Sequence, residues 1–253
     1  MPPLLIASIT FVCTFGSAVA ATFVRNWLPP THLSKESQDV VRLGIGLVAT
    51  MTALLLGLVT AAARSAFDAH DVALRNSAAN ILTLDRHLAR FGPETRPTRD
   101  LIRRAIAFRI EAIWPANAVA GTGLDAPGAT PPIEEIENQI LSLSPQNDAQ
   151  RWFKAEALKL NEEIVKARWR ILSSGGAVPF PFLVVVIFWL TVTFTSFGLF
   201  APRNATVVAV LAVSAMSVAG AVFLILELDG PFDGVIKVSS GPLRYALENL
   251  GQE

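Results

Sequence analysis

Residues 43–63 read LGIGLVATMTALLLGLVTAAA, an apolar run with no charged side chain between Arg42 and Arg64. A helix rises about 1.5 Å per residue, so about 20 such residues cross the roughly 30 Å hydrocarbon layer of a membrane. A helix also satisfies its own backbone N–H and C=O groups, which lipid cannot do. The run therefore predicts a transmembrane helix.

Three further runs match the first in length and in lack of charge: residues 3–24, 177–201 and 205–226. A cleaved signal peptide is an alternative for residues 3–24, but its Met-Pro-Pro start carries no basic residue and the run exceeds the usual length of about 7 to 15. Burial in a soluble core is the other alternative. Against it, 52% of the residues are hydrophobic and only 17% are charged, which is too little polar surface for a soluble protein. We predict an all-α polytopic membrane protein with four transmembrane helices in two hairpins, 1–63 and 177–226.

A helical domain, residues 64–176, is predicted between the hairpins. Its first apolar residues recur every seven positions, as in a helix packed in a bundle: Phe67, Leu74, Ile81 and Leu88. The second transmembrane helix should therefore continue to Phe91, where Gly92 and Pro93 end it. Three shorter helices are predicted after it, at residues 98–114, 132–143 and 148–173. A Gly- and Pro-rich loop is expected at 115–132, between the first two of them. Residues 227–253 are predicted to form a C-terminal tail.

The distribution of lysine and arginine predicts the orientation, because basic residues are enriched in cytoplasmic loops. The short connections within the two hairpins carry four near the membrane: Arg25, Lys35, Arg42 and Arg203. The opposite side carries eight: Arg64, Arg75, Lys159, Lys166, Arg168, Arg170, Lys237 and Arg244. We therefore expect both termini, the central domain and the tail to lie in the cytoplasm.

Several function classes lack the residues that they need. The formal net charge is zero, so nucleic acid is not an expected partner. The single cysteine, Cys13, excludes an internal disulfide and a thiolate zinc site, and no other metal or cofactor site is apparent. No charged residue or histidine lies in mid-span, which argues against a proton-coupled transporter. The serines lack a nucleophile-elbow context, so we expect no enzyme.

One face of the second transmembrane helix carries small and hydroxyl side chains at spacings of three, four or seven residues. We call this set the small-residue stripe: Gly46, Thr50, Ala53, Gly57, Thr60 and Arg64. One interpretation is helix packing, because small residues let helix backbones approach closely. The other is a pore wall around a symmetry axis, in which the threonines face water and Arg64 favours anions at the cytoplasmic mouth. Both interpretations remain open at this stage.

Four segments stand in the order found in bestrophin-like proteins: NILTLDRHLARFGPE at 80–94, the helix from Arg104 to Trp114-Pro115, SFGLFAPRN at 196–204 and ELDGPFDG at 227–234. The chain resembles that mostly bacterial family of membrane proteins across nearly its whole length. The family is distantly similar to bestrophins, pentameric anion or cation channels with a Pro-Phe-Gly-like turn after the fourth span. The matching residues here form what we call the membrane-edge turn: Glu227, Asp229, Pro231, Phe232 and Gly234.

The turn departs from the bestrophin pattern in two ways. Its glycine is displaced by one residue, and the acidic cluster that binds calcium in animal bestrophins is reduced to Asp229 and Asp233. Calcium takes six to eight oxygen ligands, so no calcium site is expected. We expect Glu227 and Asp229 to have a structural role instead, pairing with an arginine at the same membrane face (Arg64, Arg168 or Arg170).

The resemblance implies an oligomer in the bacterial inner membrane, a pentamer by analogy, that conducts small ions. The small-residue stripe would then line the pore. The alternative is a non-conducting membrane scaffold or sensor whose cytoplasmic helices bind a partner through Phe67, Leu74 and Ile81.

Overall fold

The computed structural model describes residues 2–29, 34–115, 133–173, 176, 178–202, 204–232 and 234–252. Throughout these residues the secondary structure is helical, with no strand, so the predicted all-α class is confirmed. The helices, in chain order, are α1 (Pro3–Val24), α2 (Lys35–Phe91), α3 (Arg96–Ile113), α4 (Ile133–Ser142), α5 (Asp148–Ser173), α6 (Phe180–Phe200), α7 (Ala205–Asp229) and α8 (Gly241–Asn249).

Four of these helices, α1, α2, α6 and α7, are long and apolar enough to cross a membrane. The prediction for α1 agrees at both ends. The third run was predicted from Ala177, which lies outside the described residues, and α6 begins at Phe180 after Pro179. Proline favours the first turn of a helix because the N–H that it lacks has no partner there. The fourth helix continues past residue 226 to Asp229, so it includes Glu227.

The chain divides into two compact units, Met1–Phe67 with Gly176–Lys237 and Asp68–Gly175 with Val238–Glu253. In the first unit, α1 packs against both α6 and α7. Its core joins four buried residues from the three helices: Ala18, Phe194, Leu211 and Ala215. The N-terminal helix therefore packs on the second pair of transmembrane helices.

Small residues bring α1 and α6 very close together. Ala18 is fully buried, and a Cβ atom placed on Gly198 would collide with its backbone carbonyl. The hydroxyl of Ser17 donates to the carbonyl of Thr191 across the same helix pair, at 3.4 Å. Close approach of this kind increases dispersion contacts, which replace the hydrophobic driving force that is lacking between helices in lipid.

The second unit contains the end of α2 together with α3, α4, α5 and α8. Leu74, Ile81 and Leu88 are each 1% exposed, so three of the four residues of the predicted seven-residue repeat form a buried face. The fourth, Phe67, is half-buried and belongs to the first unit. The helix is continuous to Phe91 and ends at Gly92, whose φ of 151° suits glycine. The buried Thr95 hydroxyl donates to the carbonyl of Leu88 at 2.6 Å, which satisfies one of the last carbonyls of α2.

The C-terminal segment, predicted as a tail, includes helix α8, which contacts α3 in the second unit. The indole N–H of Trp114 donates to the carbonyl of Val238 at 3.0 Å. Near the other end, the backbone N–H of Gly251 donates to the Asp85 carboxylate at 3.2 Å. Asp85 also accepts two hydrogen bonds from Arg99, at 2.7 and 3.0 Å. The segment is therefore attached to its unit at both ends.

Candidate functional site

The small-residue stripe on α2 faces away from the rest of its unit. All six of its residues are exposed: Gly46, Thr50, Ala53, Gly57, Thr60 and Arg64. A Cβ atom placed on Gly46 or Gly57 would meet nothing within 4 Å. Within one protomer these small residues therefore do not mediate close helix packing, and the packing interpretation would require a second copy.

Two other faces of α2 flank the stripe. The covered face includes Thr52, which is 4% exposed, and Ala63, which is fully buried. On the far side, a leucine ridge is 62–77% exposed: Leu43, Leu47, Leu54 and Leu58. Sequence reasoning did not single out Thr52, because a threonine in an apolar run gives the same signal on a buried face as on an exposed one.

The membrane-spanning part of α2 is the least covered of the four candidate spans. Only 11% of its most apolar window is buried, against 28–33% for the others. An apolar helix exposed on two faces can meet lipid, but glycines and hydroxyls are poor lipid-facing residues compared with leucine. Within the described part of the protomer, the exposed stripe thus has no covering helix.

The polar groups of the stripe are partly satisfied within the helix. Thr50 donates its hydroxyl to the carbonyl of Gly46 at 2.8 Å, and Thr60 donates to Leu56 at 2.7 Å. Each hydroxyl oxygen keeps lone pairs that can accept from water or coordinate a cation. Arg64 ends the stripe, with its guanidinium carbon 5.9 Å from the centre of the Phe67 ring. That distance is typical of a cation–π contact.

The membrane-edge turn is built around the buried carboxylate of Glu227. This side chain is 3% exposed and accepts hydrogen bonds from the backbone N–H groups of Val235 and Ile236, at 2.5 and 3.1 Å. Gly234 has a φ of +85°, and a Cβ atom there would collide with the same carboxylate. The turn therefore requires glycine for both its backbone conformation and its close contact with Glu227. Pro231 and Phe232, in the same turn, are half-buried.

Asp229, at the end of α7, makes a similar contact with the segment that precedes α6. Its carboxylate accepts from the backbone N–H of Val178 at 3.0 Å, and it lies against Gly176. The partners found for both acidic residues are thus backbone N–H groups, where we had expected arginine. Asp233, the other residue considered for calcium, lies outside the described residues. The turn has the geometry of a structural link between the ends of α6 and α7 and the segment that follows.

A family model described as a Bestrophin-like domain matches residues 12–243. The chain belongs to the bestrophin-like family. The match begins within α1 and includes the other three candidate spans, the small-residue stripe and the membrane-edge turn, so both features lie within the family domain. No curated protein matches the sequence. The protein is thus a bestrophin-family membrane protein, and its activity must be inferred from its own residues.

Proposed function

We propose that this bestrophin-like protein is an oligomeric ion channel of the bacterial inner membrane, with a pore lined by α2. The observation that carries the proposal is the exposure of the whole small-residue stripe in a protomer in which α1 packs on both α6 and α7. A face with glycine and hydroxyl groups but no covering helix suits an aqueous path between copies of the chain.

The length of the stripe agrees with this role. From Gly46 to Arg64 an α-helix rises about 27 Å at 1.5 Å per residue, close to the roughly 30 Å thickness of the hydrocarbon core. The stripe therefore extends from one membrane surface almost to the other. Small side chains leave space along the axis, and threonine oxygens offer weak, repeated contacts from which an ion can leave again.

Oligomerisation is part of the proposal, because four helices in one protomer do not surround a conduit. The leucine ridge lies beside the stripe on α2 and is exposed along the same length. It supplies an apolar surface on which a neighbouring copy can pack while the stripe faces the axis. A pentamer is proposed by analogy with bestrophins. The distribution of basic residues supports a cytoplasmic location for the domain, the tail and both termini. In this orientation Arg64 lies at the cytoplasmic mouth, where it favours anions.

The decisive experiment combines conductance with cysteine modification. The purified oligomer is studied in planar bilayers, with Thr60→Cys introduced into a Cys13→Ser background. We expect a charged methanethiosulfonate reagent to reduce the current of this variant, because the reagent adds bulk and charge to the pore wall. Leu54→Cys, on the ridge, is the matched control and should keep its current. Silence of the intact wild-type oligomer at both voltage signs contradicts the proposal, as does a block of the control alone.

The alternative function, a scaffold or sensor, is inferred from Phe67, Leu74 and Ile81, of which only Phe67 is partly exposed. Leu74 and Ile81 are 1% exposed, so they contact a partner only if the second unit opens. The exposed aromatic residues of that unit support it instead: Trp152, Trp169 and Tyr245, which are 54–64% exposed. Aromatic side chains are enriched in the cores of protein interfaces. This function becomes the better one if the intact oligomer passes no current. Neither function includes a catalytic step or a cofactor.

A further inference from the structure

A cleft of about 660 Å³ opens in the first unit between the start of the α2 span and the α6–α7 pair. Its walls include apolar side chains from all three helices: Ala49, Phe197, Val207 and Val210. Three lining residues with hydroxyl groups add smaller polar groups: Ser196, Thr206 and Ser214. A cleft of this kind on the outside of a transmembrane bundle is filled by something apolar in the membrane.

The depth of the cleft discriminates between occupants. On α2 the lining runs from Arg42 to Ala49, and on α7 from Thr206 to Ser214. These separations correspond to about 10 and 12 Å of helix, whereas each leaflet contributes about half of the roughly 30 Å hydrocarbon core. The cleft thus occupies most of one leaflet and ends near the midplane. A transmembrane helix from another protein or copy crosses both leaflets, but a lipid acyl chain occupies only one.

Positive charge lies at the open end of the cleft. Arg42 is one of its lining residues, and its ion pair with Asp39 is long, at 3.9 Å, between two largely exposed side chains. Such a pair contributes little and leaves the guanidinium available to a stronger partner. Arg25 donates through Nη1 to the carbonyl of Ala201, another lining residue, at 2.9 Å. Guanidinium groups bind phosphate in a fork geometry with two parallel hydrogen bonds.

We propose that this cleft binds one acyl chain of an anionic phospholipid, with the lipid phosphate held by Arg42 beside Arg25. The acyl chain matches the apolar walls and the one-leaflet depth, and the phosphate matches the charge at the mouth. The cleft and the small-residue stripe share one residue, Gly46, and are otherwise separate. The proposal does not depend on conduction, so failure of the channel function leaves it standing.

The test uses the full chain reconstituted in vesicles of phosphatidylethanolamine and phosphatidylglycerol. The probe is a phosphatidylglycerol that carries a diazirine near the end of one acyl chain. After illumination, we expect the labelled peptides to come mainly from three segments: 42–49, 196–201 and 206–214. Arg42→Gln should lower this labelling about fivefold, because the loss of one basic side chain weakens binding to an anionic lipid surface by about that factor. Arg42→Lys should retain most of it, and Arg75→Gln, in the second unit, should have no effect.

Three results would overturn the proposal. The first is even labelling of all exposed membrane helices, including Leu54 and Leu58, which is the pattern of bulk lipid. The second is equal labelling of the cleft by a phosphatidylcholine probe or by the Arg42→Gln variant, which shows that the anionic group is not recognised. The third is an efficient disulfide between copies that carry Val210→Cys in a Cys13→Ser background, which shows that a second copy covers the cleft. The labelling of the wild-type protein is informative even if a variant folds poorly.

Discussion

At the scale of single residues, the buried carboxylate of Asp85 joins several parts of the second unit. Asp85 is 2% exposed and holds Arg99 in a two-pronged ion pair while it also accepts from the backbone of Gly251. Removing one member of such a buried pair leaves an uncompensated charge, which costs more than the pair contributes. One carboxylate thereby links α2, α3 and the C-terminal segment.

Asp85→Ala is expected to lower the free energy of unfolding by about 3–5 kcal/mol, because the Arg99 side chain is only 12% exposed and loses its two charge-assisted hydrogen bonds to this carboxylate. The measurement is the thermal unfolding midpoint of the full chain in detergent, together with the rate of proteolysis near α8. The double variant Asp85→Ala with Arg99→Met should recover most of the loss. Asp71→Ala removes an exposed ion pair with Arg75 and should cost less than about 1 kcal/mol. Equal midpoints for Asp85→Ala and Asp71→Ala would contradict the assignment.

Arg109 on α3 is a half-buried charge in the same unit. Its Nε atom has no hydrogen-bond partner within the described part of the chain. Burial, and then the nearby charge of Arg168, lower the pKa of Arg109 from its ordinary value to about 10. Because the folded-state pKa is depressed, the energetic cost of the charged form is fully present below about pH 10. The cost is therefore constant between pH 5 and 8, so Arg109 gives the protein no pH sensitivity in the physiological range.

At the scale of elements, the position of α1 depends on one contact with α6. Gly198 lies directly against the backbone of Ala18, and the shared core includes Phe194, Leu211 and Ala215. The helices can approach this closely only if no side chain intervenes. The contact explains why the N-terminal helix, far away in sequence, belongs to the same bundle as the third and fourth spans.

Gly198→Ala is expected to destabilise the first unit by about 1–3 kcal/mol, the usual cost of overpacking, since the new methyl group must push α1 away. Gly220→Ala on α7 is the matched control, because its Cβ atom meets nothing within 4 Å. The control should be neutral or slightly stabilising, given the higher helix propensity of alanine. Unfolding of both variants in mixed micelles with increasing denaturing detergent measures the difference. If Gly198→Ala resists unfolding as well as Gly220→Ala does, the close crossing is not a feature of the protein in membranes.

At the scale of the whole molecule, the uneven coverage of the four candidate spans matters most. The α2 span has 11% of its window buried, while α1, α6 and α7 cover one another more completely. A helix left open on its small-residue face is completed by other copies in the proposed oligomer. The proposed channel function would thus belong to the assembly, with each protomer contributing one wall.

Gly57→Phe is expected to remove most of the ionic current while leaving the oligomer intact. Within a protomer nothing lies within 4 Å of a Cβ at residue 57, so the phenylalanine side chain should not prevent the protomer from folding. In the proposed oligomer, however, the ring narrows the conduit that several copies share. Gly220→Phe, at an equally open position on α7, should conduct normally. Conductance in planar bilayers and the mass of the oligomer in detergent are both required. Loss of the oligomer in Gly57→Phe would favour a packing role for the stripe, and unchanged current would place the stripe outside the pore.

The sequence alone determined where the helices lie. Apolar length and absence of charge are properties of contiguous residues, so the spans at 3–24 and 205–226 could be predicted to within a few residues of α1 and α7. The continuation of α2 to Phe91 followed from a seven-residue repeat and from the breakers Gly92 and Pro93. These signals are local, because backbone hydrogen bonds within a helix join residues four apart.

Only the tertiary structure decided which faces are covered. Thr52 and Thr60 give the same signal in sequence, yet the first is buried and the second is exposed. The contact of Gly198 with Ala18, the use of Glu227 to bind backbone N–H groups and the docking of α8 on α3 were not predicted, nor was the cleft beside Arg42. Each depends on residues brought together from distant parts of the chain, and burial is a property of those neighbours rather than of the residue itself.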